Sequence, residues 1–326
     1  IRYLIVTGVQ TCALPIYSVI KEKNMNKIVE LLLHKKILIS DGAWGTQLFS
    51  KGLRTGFAPE SWNLDHPEKV AEIAESYLNA GAELISTNTF GANKFKLDQY
   101  GLKDKLEEIC YNGAKISKRV IDKNQIVIGS IGPTGKFLAM GELTPADLYD
   151  TFKLQAAALE KGGADAACIE TFYDLDEAEQ AIKAVKENTD LEVIAAFTFD
   201  KTDYGYRTLM GISPKQMAEK LIICGADIIG ANCGRGFADM IEIVKEIRNV
   251  SQKIPVFVQP NAGLPEIING ELVYKETPEF IRSIISELIK AGANIIGGCC
   301  GTTPEHIKVI ADVVKNYRDK FTDNQN

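Results

Sequence analysis

Four segments of this chain repeat one phrase. Each ends a helical stretch with a glycine or small residue and an acid or amide, then runs into apolar residues: AGAELISTNTFG (80–91), KGGADAACIETF (161–172), CGADIIGANCG (224–234) and AGANIIGGCCG (291–301). The phrase reads as a helix C-cap glycine, a short loop, a buried strand and a polar or glycine-rich strand end. Similarity at this scale marks a repeated supersecondary unit. The copies lie roughly 60–80 residues apart, so each interval holds two βα units.

Filling the intervals predicts strands at 37–42, 84–90, 126–132, 166–172, 192–199, 228–233, 255–260 and 295–300. These are short apolar runs rather than alternating ones, as parallel strands covered on both faces require. Between them lie helical patterns. Over 66–79, Val70, Ile73, Ala74, Tyr77 and Leu78 share a face. Thr144-Pro145, Ser213-Pro214, Thr277-Pro278 and Thr303-Pro304 each put a capping hydroxyl before a proline suited to the first helical turn, and Ser213 with Gln216 fits a capping box. Eight strands alternating with helices predict an α/β protein, a (βα)8 barrel of the TIM type. The rival, a doubly wound open sheet, would favour a G-x-G-x-x-G turn after the first strand, and DGAWGT does not match it.

The length of 326 residues suits one such barrel, assigned to 25–326. Residues 1–24 stand apart. They lack a signal-peptide n-region and cleavage site, and TGVQTCALPI resembles translated sequencing-adapter read-through, so they are expected to be a non-native or disordered extension before a start at Met25. A short export signal is the alternative. Net charge is −6 with no basic cluster, which argues against nucleic acid or an anionic membrane surface as partner. Seven scattered cysteines point to a reducing, cytoplasmic setting.

In a barrel, chemistry belongs at the C-terminal ends of the strands. There Cys233 ends strand six, and Cys299 and Cys300 end strand eight, with one strand between. Three thiolates can occupy three corners of a zinc tetrahedron and leave the fourth for water or substrate. The bland alternative is three small buried hydrophobes. Redox chemistry would more often use C-x-x-C, which this trio lacks. Zn²⁺ with three thiolates carries net charge −1. It is a weak Lewis acid toward a carbonyl but can hold a fourth, nucleophilic thiolate, so alkyl transfer to a thiol follows. His34, His66 and His306 fall in helical or loop contexts and form no HExxH.

DGAWGTQL (41–48), STNTFGAN (86–93), GANCG (230–234), QPNAGLP (259–265) and GGCCGTTPEHI (297–307) resemble the homocysteine S-methyltransferase family, and within it the homocysteine-binding module of cobalamin-dependent methionine synthase. The resemblance spans about residues 27–315. It implies zinc on Cys233, Cys299 and Cys300, with methyl transfer to homocysteine giving methionine and no separate protein base. It implies that Asp41 and Glu170 bind the substrate amino group, that amides around Gly42 and Ala43 meet its carboxylate, that Thr87 and Asn88 line the cleft, and that Asn232 sits beside the metal. Arg235-Gly236-Phe237 replaces the Gly-Pro of many relatives and leaves the donor open. It is a methyl-corrinoid such as methylcobalamin on a separate protein, a small donor such as betaine or S-methylmethionine, or a module downstream of a fragment. A non-catalytic zinc barrel is the remaining alternative.

Overall fold

Each repeated phrase closes a helix as its glycine demands. Gly81 and Gly163 follow the helices Pro67–Ala80 and Pro145–Gly162, Gly292 follows Pro278–Ala291, and Gly225 comes one residue after the C-cap of Pro214–Ile223; all four are left-handed, with φ of 85–111°. The chain then drops into a strand. The computed structural model describes residues 27–268 and 271–323, so the expected extension over 1–24 lies outside the described residues.

The principal strands are β1 (Leu38–Ile39), β2 (Leu84–Ser86), β3 (Ile126–Ile131), β4 (Ala166–Phe172), β5 (Glu192–Phe197), β6 (Ile228–Cys233), β7 (Val256–Pro260) and β8 (Ile295–Ile296). They form one parallel eight-stranded sheet in the order β1-β8-β7-β6-β5-β4-β3-β2. A bridge from Ser40 to Leu84 joins its two edges, completing the predicted (βα)8 barrel. Three of the four expected caps form: Ser213 and Gln216 make a reciprocal capping box, Thr144 does the same with Asp147, and Thr277 accepts from the Phe280 amide, whereas the Thr303 hydroxyl meets the His306 ring. No described helix is long and apolar enough to cross a membrane.

Apolar burial comes in two layers. Leu38, Leu84, Ile128, Cys168, Ile194, Ile228, Phe257 and Ile295 fill the barrel interior. The opposite strand faces pack on the surrounding helices through residues such as Ile73, Phe152, Val193, Ile243 and Ile285. Ile28 and Leu32 of the helix Lys27–Lys35 join the interior layer, so this helix closes the N-terminal end of the barrel. Glu192, the first residue of β5, accepts from the Ile28 and Val29 amides at 2.8 and 3.1 Å and caps it.

The acid or amide of each phrase has one recurrent job. Glu83, Asp165, Asp227 and Asn294 accept from the amides of Ile39, Val127, Val193 and Val256 at 2.8–3.1 Å. In each case an even-numbered strand clamps the start of its odd-numbered predecessor. The even partner's own amide donates back to the same residue's carbonyl at 2.7–3.0 Å. Removing one clamp leaves a buried N–H unpaired, at a cost of about 1–3 kcal/mol.

Two expectations fail at the other end. β1 and β8 hold only two residues each, and β2 stops at Ser86. Two short antiparallel pairs, Asp200–Thr202 with Gly205–Arg207 and Glu266–Ile268 with Glu271–Val273, rise from the segments after β5 and β7.

Candidate active site

Cys233 is the last residue of β6, as expected. Cys299 and Cys300 are not strand residues: they lie in the loop beyond β8. The ladder stops because the Gly297 backbone packs on the end of β1, where an added Cβ would lie 2.6 Å from the Asp41 carbonyl oxygen. The loop is then pinned from both sides, with the Gly298 amide donating to Asp41 O at 2.9 Å and the Cys299 amide to Pro260 O at 2.7 Å. This brings the three Sγ atoms within 4.8 Å of one another, with Cys299 and Cys300 at 4.0 Å. Tetrahedral zinc with Zn–S near 2.3 Å needs sulfurs about 3.8 Å apart, so the trio fits the ion with small side-chain adjustment.

The surroundings also suit a cation. Hydrogen bonds from Cys233 and Cys299 hold the Cys300 thiol far below the usual range, while those same contacts and burial push Cys299 well above it. Asn261, in the loop after β7, donates from Nδ2 to Gly234 O at 2.8 Å, and its buried Oδ1 has no hydrogen-bond partner. The neighbouring Ala262 amide holds Cys300 O at 2.9 Å, so this orphaned acceptor belongs to the same loop cluster.

All three cysteines line a cleft of about 360 Å³ at the C-terminal end of the barrel, together with Gly42, Ala43, Thr87, Asn88 and Glu170. Asp41 is fully buried behind it. Asp41 Oδ2 accepts from the Ser86 amide at 2.7 Å and the Trp44 indole at 2.8 Å, and Oδ1 from Ser86 Oγ at 2.9 Å and Gln259 Nε2 at 3.3 Å. Burial nevertheless pushes its pKa up to about 6. Glu170 accepts from Ser130 Oγ at 2.5 Å and from Asn232 Nδ2 at 3.3 Å, and burial, with added repulsion from Asp41, pushes it up to about 7.

Other sequence assignments need refinement. The Ala43 amide donates to Thr302 Oγ1 at 3.1 Å, so in this conformation it is not available to a substrate carboxylate. The Thr87 hydroxyl accepts from the Ser130 amide, and Asn88 Nδ2 donates to Pro59 O and Asn63 Oδ1. Both residues line the cleft with their polar groups tied into its wall. Asn232 adjoins Cys233 in sequence, but its side chain reaches β4 rather than the sulfurs. The Arg235 guanidinium pairs with Asp239, which also accepts from Tyr206 of the hairpin after β5. Ser130, Gln259, Ser86 and Trp44 were missed; their only sequence signal is a polar or indole group at or just past a strand end.

A family model for homocysteine S-methyltransferases matches residues 38–314. Methionine synthase of Mycobacterium tuberculosis (strain ATCC 25618 / H37Rv) is 31% identical over 305 residues, covering 88% of this chain and 25% of that protein. Methionine synthase of Mycobacterium leprae (strain TN) is 31% identical over 307 residues, with the same coverage of 88% and 25%. The chain thus spans about a quarter of the length of these relatives. Among solved structures, the metallated form of the homocysteine methyltransferase MmuM from Escherichia coli superimposes with a TM-score of 0.73 at 22% identity, over 87% of this chain and 99% of that one.

Proposed function

From the premise that this chain belongs to the homocysteine S-methyltransferase family, we propose that it transfers a methyl group to the sulfur of homocysteine and forms methionine, with zinc held by Cys233, Cys299 and Cys300. The observation that carries the reading is one cleft lined by three convergent thiols and by the Glu170 carboxyl, with the buried Asp41 carboxyl behind its wall. Zinc bound there would lower the pKa of an incoming thiol while the three protein thiolates keep its sulfur electron-rich.

The chain's own residues supply position. Glu170 would face the substrate ammonium, with the buried Asp41 carboxyl behind the wall adding negative charge, and the cleft wall of Thr87 and Asn88 would hold its carbon chain. An added Cβ at Gly42 would press within 2.8 Å of the Tyr77 ring, so glycine is required where the backbone lines the cleft. No side chain is required as a base. The methyl–donor bond breaks as the methyl–sulfur bond forms, and methionine, a neutral thioether, departs. Most of the rate would come from holding sulfur and methyl in line.

The proposed donor is a methyl-corrinoid carried by a separate protein or module, supported by the resemblance to the cobalamin-dependent type of methionine synthase. The test is methionine formation by the zinc-loaded protein with methylcobalamin, betaine and S-methylmethionine in turn. Turnover with a small donor alone would overturn the donor assignment. Zinc retention with no homocysteine binding would overturn the enzyme reading in favour of a storage barrel.

A further inference from the structure

Two strand ends on either side of β5 share an unusual geometry. Glu170 directly precedes Thr171, and Asn232 directly precedes Cys233. Both following residues have left-handed backbone, with φ of 62° at Thr171 and 59° at Cys233. That conformation is costly for a β-branched residue and persists only where its surroundings enforce it. At Thr171 the enforcement comes from Asn232. Its Oδ1 accepts from the Thr171 amide at 2.7 Å, and its Nδ2 donates to Thr171 Oγ1 at 2.8 Å and to Glu170 Oε2 at 3.3 Å. The pairing register between β4 and β5 shifts at this point, between Ile169 and Phe172. Asn232 is fully buried, so no water competes for these bonds.

We propose that Asn232 is a positioning residue for recognition of the substrate's amino group. Its side chain holds the kink that turns Glu170 into the cleft. Its backbone leads directly into the kink that presents Cys233. One residue thus fixes the spacing between the nitrogen-binding and sulfur-binding ends of the pocket. Each Glu170 oxygen takes one donor, from Ser130 or Asn232, which leaves lone pairs for a cation. The inference rests on the reading of Glu170 as the ammonium partner.

The test compares homocysteine with 4-mercaptobutyrate, the same thiol acid without its amino group. Binding of each to the zinc-loaded protein is measured by calorimetry. Asn232→Ala should lower the preference for homocysteine by about tenfold or more, the size expected for a misplaced charged hydrogen bond, while 4-mercaptobutyrate affinity stays within about twofold. Adding Thr171→Gly should restore part of the preference, because glycine holds the left-handed conformation unaided. If Asn232→Ala is insoluble, the double variant carries the same comparison, with a reduced preference still expected. Equal loss of both ligands, or an unchanged preference, overturns the proposal. Glu170→Gln separates the two readings: if it leaves the preference intact, the ammonium assignment itself fails.

Discussion

At the N-terminal end of the barrel Glu83, Asp165, Asp227 and Asn294 perform one task four times; at the C-terminal end Asp41, Glu170, Cys233 and the 299–300 loop repeat no common contact and converge on one site. The charges diverge as well. Against the burial that would raise them, hydrogen bonds from Arg318 and Lys35 hold Glu83 below the usual carboxylate range, and those from Lys27 and Lys118 do the same for Asp165. Asp41 and Glu170 have no Lys or Arg within ion-pair distance among the described residues, and burial pushes them up to about 6 and about 7. Repetition marks the end that holds the fold together. The acids without a basic neighbour lie at the end where the proposed amino-acid substrate would bring its own cation.

The sharpest way to break this division is Cys299→Ala. It should abolish zinc binding and methionine formation, while the unfolding midpoint of the metal-free variant matches that of the metal-free parent. A large loss of metal-free stability would mean that the cysteine loop also holds the barrel. The converse change is Glu83→Ala, which removes the side-chain acceptor of the Ile39 amide and the carboxylate that pairs with Arg318 and Lys35. Denaturant unfolding should show a loss of about 2–4 kcal/mol, with turnover per folded molecule unchanged. A drop in kcat instead would place the clamp in the chemistry.

Protonation offers a smaller perturbation confined to the C-terminal end. An ammonium prefers the ionised carboxylates, which are present above the raised pKa values and lost as pH falls through about 7 and then about 6. Homocysteine affinity should therefore fall on acidification by up to about tenfold per pH unit for each carboxyl protonated, and more steeply than that of 4-mercaptobutyrate. Parallel profiles for the two ligands would contradict the assignment. Asn294→Asp should have the smallest effect. Arg248 already lies 2.5 Å from Asn294 Oδ1, so the fourth clamp gains an ion pair and stability changes by less than about 1 kcal/mol, upward. Marked destabilisation would show that the four clamps are not equivalent.

The clamped end was the more legible in sequence, because its signal is local and repeated. A C-cap glycine followed by an acid or amide and an apolar run fixes helix end, turn and strand start within a few residues. The cysteine trio was legible for another reason: three thiols at two strand ends have few structural uses. Strand lengths were not. Gly297 and Gly298 continue an apolar run, and only the approach of β1 and Thr302 shows why the ladder stops there. The family resemblance set Asn232 beside the metal, whereas its bonds to Thr171 span 61 positions and leave no local signal. Ser130 and Gln259 were missed on the same ground, since their partners lie 40 and more than 200 positions away.

The helix Lys27–Lys35, capped by Glu192 and packed into the barrel through Ile28 and Leu32, seals the floor. Access to the cleft is therefore single-ended: the proposed thiol, donor and product would all use the mouth framed by the strand-end loops. A bulky donor seated over that mouth would block both entry and exit. Under the proposed corrinoid donor, the thiol would have to load before the donor docks, and the methylated product would leave only after the donor withdraws.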